Sequence, residues 1–144
     1  TERDAGRDVA IGLPKRKPDG IAVAEFEFDS HAVHKFDDAH PGVREGYFFV
    51  DHEPLQLPYR ICLPKSVDGL LVPVACSASH VGYQTIRMEP VFMALGQACG
   101  IAAPIAQRAG GEVRAVDVAA LQREILHRGG VILYECAPLQ PDGL

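Results

Sequence analysis

The chain has 144 residues, 47% hydrophobic and 23% charged, the composition of a folded globular domain and not of a disordered segment. That length supports one core of ordinary size and is short for two domains. With 14 basic against 19 acidic residues the net charge is −5, and no basic stripe is present to neutralise phosphates, which argues against a nucleic-acid partner.

In chain order, residues 1–20 are polar and rich in Gly, Pro and charge, and they read as an irregular lead-in whose Lys15-Arg-Lys17 cluster is a solvated loop. Ile21 to Phe28 alternates as a strand, with a bulge expected near Ala24 and Glu25 where the alternation changes phase. A loop follows from Asp29 to Gly46. Tyr47–Val50 is a second strand, and Leu55–Leu63 a third, bent or at an edge because Pro58 interrupts it. Leu70–Val74 is short, continuously apolar and preceded by Asp68-Gly69, as expected of a strand buried on both faces. Ser77-Ala-Ser-His80 is then a polar turn.

The second half reads as helical. Pro90 suits a first turn, where its missing N–H costs nothing. The helix is expected to run from there to about Gln107 and to stop at Gly110-Gly111, with a kink at Pro104. Asp117 is a good N-cap for Val118–Arg128, Gly129 is the stop, and Val131–Tyr134 is a candidate closing strand. The expected division is 1–20 lead-in, 21–66 a β-rich segment and 67–144 a terminal strand–loop–helix region. The fold class is therefore α/β, or α+β for the segment alone. No apolar stretch approaches the roughly 20 residues of a membrane span. The four cysteines (62, 76, 99 and 136) lack metal-finger or CxxC spacing, and a disulfide framework is not expected. The first residue is Thr1, so the true amino terminus is expected to lie upstream. No targeting segment is legible, which favours a soluble, cytoplasmic setting.

Three places hold chemistry-bearing side chains. Gly96 and Gly100 each cost about 1 kcal/mol relative to Ala inside a helix. Such a small face serves either tight packing in an α/β core or the close approach of a flat ligand, with the helix N-terminus turned to an electron-rich edge. His80 lies in a loop after the expected buried strand, where α/β proteins bind ligands, and Arg87 is a fixed positive charge ahead of the helix. A structural hydrogen bond for His80 and a salt bridge to Glu89 or another acid for Arg87 are the plain alternatives. His31, His34, Asp37, Asp38 and His40 suggest a metal cluster at first sight, but no periodicity sets them on one face and no distant ligand pair completes a site, so no metal is expected.

The runs Leu57–Lys65, Asp68–His80 and Ile86–Ala103, with Asp29-Ser-His31 ahead of them, resemble the carboxyl-terminal portion of the FAD-dependent oxidoreductases, in the branch labelled xanthan lyase-like. The likeness spans roughly residues 20–130 and consists of several motifs in order. It implies FAD as cofactor and a small-molecule or sugar-derived substrate. It also implies that Ser77, Ser79 and His80 lie near the flavin or substrate, that the helix opening at Pro90–Met93 faces the pyrimidine edge of the ring, and that Gly96 belongs to the same face. His31, His80 and Arg87 become candidates for substrate orientation or proton transfer. The Gly-rich GxGxxG turn with which the family begins is not in this sequence, Pro104 stands where the family helix continues, and Cys99 stands where Ala is common. FAD binding by the chain alone is accordingly expected to be weak or absent.

Three readings stay open on the sequence. The first is a fragment of such an oxidoreductase, completed by a chain supplying the GxGxxG half. The second is a non-catalytic binding or assembly module descended from one, which would need a partner chain or self-association. The third is a polysaccharide lyase, suggested by the branch label alone.

Overall fold

The alternation that marks residues 21–28 as extended breaks after Ala24, and the chain uses the break to change sheets. The computed structural model describes residues 15–31 and 48–133. Strand β1 (Gly20–Ala24) pairs antiparallel with β4 (Leu55–Pro58), while β2 (Phe28–Ser30) pairs antiparallel with β3 (Phe48–Val50). The expected bulge near Ala24 is thus the point where one ribbon ends, and the register irregularity falls earlier, between Gly20 and Ala22. Strand β4 stops at Pro58, and Tyr59–Cys62 winds into a 3-10 turn in place of the longer strand expected to Leu63.

Leu70–Val74 is not a strand. The stretch is bent chain, with Leu70 45% and Val74 51% exposed. An apolar run becomes a strand only where a neighbouring strand accepts its backbone groups, and Pro73 has no N–H to offer. Here Val72 N donates to Cys62 O at 2.8 Å and Ser77 N to Ile61 O at 2.8 Å, tying the segment to the 3-10 turn rather than to a ladder. Arg114 fastens its near end: Nε donates to Asp68 Oδ1 at 2.9 Å and Nη2 to Val67 O at 3.2 Å.

The Ser77–His80 turn leads into a helix that the sequence reading missed, α1 (His80–Ile86). Ser79 caps it, its hydroxyl accepting from Gly82 N at 3.0 Å. Helix α2 runs from Glu89 to Arg108, with Pro90 in its first turn as expected. It continues past Pro104 for another turn, so the proline does not end it; Pro104 lies on the exposed side. Gly110 and Gly111, at φ +97° and +90°, close it, with Gly111 N donating to Ala106 O at 2.8 Å. Helix α3 (Val118–His127) begins where Asp117 Oδ1 accepts from Ala120 N at 3.1 Å, and Gly129 at φ +78° ends it. Residues 131–133 form no strand, and Tyr134 lies outside the described residues.

The core lies between β1–β4 and the two long helices. Ile21, Ala22 and Leu57 from the sheet meet Leu95, Ala98 and Ala102 of α2, and Leu121 and Ile125 of α3. The alanines at 98, 102 and 106 form the inner face of α2, where a small side chain lets the sheet come close. Gly96 and Gly100 do not serve this packing: a Cβ at either position would meet no atom of the described residues within 4 Å. The expectation of tight glycine packing within this chain is corrected by that finding. A second correction concerns membranes. By length and composition the 20-residue α2, an 18-residue stretch of which has a mean hydropathy of 1.2, is sufficient to cross one, although its apolar side is the core face just described.

Candidate functional site

Residue Asp29 in β2 is the hub of the charged groups. Its Oδ2 accepts from Arg87 Nη2 at 2.9 Å and lies 3.0 Å from His31 Nε2. The acid that pairs with Arg87 is therefore Asp29 and not Glu89. Arg87 is the C-cap of α1, so α1 delivers the guanidinium to the end of β2, which packs against that helix. The guanidinium also lies over the Phe26 ring, 5.6 Å from its centre. Its Nε is buried and has no hydrogen-bond partner among the described residues, which leaves one directed donor unused.

His80 is not part of this group. It opens α1 and Arg87 follows its last residue, so the two are separated by about 10 Å of helix at 1.5 Å per residue. His31 and Arg87 meet on Asp29, while His80 stands at the opposite end of α1. Ser79 uses its hydroxyl as the α1 cap, and Ser77 is exposed. Of the other expected flavin contacts, Pro90 and Met93 are exposed, Met93 to 74%, and Gly96 is half-buried. His34, Asp37, Asp38, His40 and Cys136 lie outside the described residues, among which no group of three or more His, Cys, Asp or Glu could hold a metal ion.

Beside the opening of α2 lies a groove of about 590 Å³, lined by Glu25, Phe26, Glu27, Met88, Pro90 and Val91. Its far wall is the 25–27 link between the two ribbons. That link is held by His52, a residue the sequence gave no reason to single out. His52 Nε2 lies 2.8 Å from Phe26 O and 3.2 Å from Thr85 Oγ1, Nδ1 lies 2.6 Å from Glu53 O, and the ring packs against Phe28 at 4.3 Å. Thr85 is fully buried, so one imidazole joins the β3–β4 connection, the link and α1. Arg87 on the Phe26 ring and His52 on the Phe26 carbonyl fix the same residue from two sides. No local pattern around Asp51-His-Glu53 could have announced this, because every partner of the ring beyond Glu53 is distant in sequence.

Two of the three described cysteines, Cys62 and Cys76, are held as thiols by their surroundings, while the hydrogen bond with Cys62 pulls the Cys99 thiol down against the effect of burial. Cys62, Cys76 and Cys99 are free and buried. A hydrogen bond with Cys99, together with burial, pushes the Cys62 thiol far up, and burial pushes Cys76 up, so both stay protonated. Tyr59, in the same core, is pushed up from 10.0 to about 12 by burial and by the nearby Cys99 and Cys62, and its hydroxyl donates to Val113 O at 2.8 Å.

No curated protein and no solved structure shows a significant match to the chain. The family model described as FAD dependent oxidoreductase matches residues 2–125, a span that includes the Asp29–Arg87–His31 group, α1 and all of α2. The chain belongs to the FAD-dependent oxidoreductase family.

Proposed function

We propose that this chain is the carboxyl-terminal portion of an FAD-dependent oxidoreductase and forms one wall of its flavin and substrate site, completed by a segment carrying the glycine-rich phosphate turn. The observation that carries the reading is the outward face of α2. Met93 is 74% exposed there, and Gly96 and Gly100 open onto space. Two helix-interior glycines cost about 2 kcal/mol relative to alanine, and nothing in the described chain requires them. Their use is understood if a flat group or another backbone approaches that face. The exposed Leu70 and Val74 support the same reading, since strand-like apolar sequence without a ladder suits a sheet supplied from elsewhere.

Bound FAD supplies a two-electron acceptor; the chain supplies position and charge. The N-terminal end of α2 brings the positive end of the helix dipole to this opening, and Arg87, held by Asp29, adds a fixed positive charge. Glu25, Glu27 and Glu89 bring negative charge to the same opening, so stabilisation of an electron-rich ring falls to Arg87 and the helix end. His31, on the outer side of Asp29 and exposed, is placed to hold or move a proton on a substrate resting against that carboxylate.

The test is reconstitution. The chain is mixed with FAD, with and without a glycine-turn segment of the family supplied in trans, and retained flavin absorbance is read after desalting. Retention only with both parts is the expected result, and Gly96→Leu should abolish it. Tight FAD binding by the chain alone, or retention indifferent to Gly96→Leu and Met93→Ala, would overturn the assignment.

A further inference from the structure

The His52 ring stands between two backbone carbonyls, with Nδ1 2.6 Å from Glu53 O and Nε2 2.8 Å from Phe26 O. A carbonyl oxygen accepts and never donates, so both contacts are hydrogen bonds only when both ring nitrogens carry protons. Neutral imidazole has one N–H and sets a bare lone pair against one of the two carbonyls. The two nitrogens differ in what else they face. Nε2 also lies 3.2 Å from Thr85 Oγ1, a hydroxyl able to donate, whereas Nδ1 faces Glu53 O alone among the described residues. Thr85 is fully buried, so its hydroxyl cannot turn to water for a partner.

We propose that His52 is a proton-operated clasp on the link between the two ribbons. With both nitrogens protonated, the ring donates to Glu53 O and Phe26 O and holds the link against α1. When the half-buried ring gives a proton to solvent, it gives the one on Nε2. Nδ1–H then keeps Glu53 O, and the bare Nε2 accepts from the Thr85 hydroxyl. Phe26 O loses its donor, and the link moves off the ring while Arg87 stays over the Phe26 side chain. Glu25, Phe26 and Glu27 line the groove beside α2, so the protonation state of His52 sets the shape of that groove. Among the described residues, the charged or titratable groups on the elements around the ring are Asp51 and Glu53 beside it, Glu25 and Glu27 on the link, Asp29 and His31 at β2, and His80 and Arg87 at the two ends of α1. Asp51 Oδ1 accepts from His52 N at 2.8 Å, and Asp29 is engaged by Arg87 and His31. The clasp stands apart from the flavin reading. Either can fail without the other.

The full chain without FAD is followed by NMR across the imidazole titration range. The Glu27 amide, which shares a peptide unit with the Phe26 carbonyl, should shift in step with the His52 ring. That step should survive His31→Gln and vanish in His52→Gln. At the high-pH end the ring nitrogen shifts should show the proton on Nδ1. Thr85→Val keeps the branched shape and removes the hydroxyl; in that variant the neutral ring should carry its proton on Nε2, and the Glu27 step should be lost. A His52 ring that titrates while Glu27 stays still, or that does not titrate at all, would overturn the proposal. So would a neutral ring protonated on Nε2 in the unaltered chain, a step that survives His52→Gln, or one kept by a Thr85→Val chain whose dispersed amide shifts show it folded.

Discussion

Replacing Gly100 with alanine separates what α2 needs for folding from what its outer face needs for function. The added methyl meets no atom of the described residues within 4 Å, so there is no clash to subtract and no burial to add. What remains is the backbone term, about 0.8–1 kcal/mol in favour of alanine inside a helix, arising partly from the lower entropy of the unfolded chain. For a domain of this size that corresponds to a rise in Tm of roughly 4 °C. Thermal unfolding followed by circular dichroism reads it directly. Gly130→Ala is the internal control. There a Cβ meets Ile125 Cγ2 at 2.5 Å and Ile125 O at 3.0 Å, and the loss should be on the order of 1–3 kcal/mol. The stabilised Gly100→Ala chain should nonetheless capture flavin less well in the reconstitution assay, because the open face has been narrowed. A destabilised Gly100→Ala chain would refute the reasoning, since it would mean that the face is already covered.

Three further outcomes test other parts of the structure. Tyr59 holds its proton more tightly when folded, with its pKa raised from 10.0 to about 12, so its contribution is complete below pH 10 and is lost as pH rises toward 12. The loss should be on the order of 2 kcal/mol, and in Tyr59→Phe that part of the pH dependence should vanish, as read by denaturant unfolding at successive pH values. Asp117→Ala removes the α3 cap and should cost about 1 kcal/mol in urea unfolding. Asp29→Asn removes the charge shared by Arg87 and His31; because Arg87 is 36% exposed, stability should change by less than about 1 kcal/mol, while turnover of the reconstituted enzyme should fall far more.

The boundaries were legible because their causes are local. Asp117 and Gly129 frame α3, and Pro90 and Gly110-Gly111 frame α2, whereas the change of phase at Ala24 was read as a bulge in one strand and is where β1 ends. Each needs only a few neighbouring residues to form a cap, a left-handed turn or a change of phase. Helix α1 was missed for the converse reason: at seven residues it is too short to show a periodic face, and only the Ser79 cap marks it.

Sequence by itself thus determined the family, the mixed α and β composition, the two long helices and the small-residue character of α2. The tertiary structure alone decided that its alanines face the sheet while its glycines face outward, because which side of a helix is covered depends on where the sheet lies. It also decided that Leu70–Val74 stays unpaired, that His52 holds the link beside the groove, and that His31 and Arg87 meet on Asp29 while His80 lies a helix length away. Ladders, buried hydrogen bonds and ion pairs join residues far apart in sequence, so their partners are set by the assembled fold and not by any local pattern.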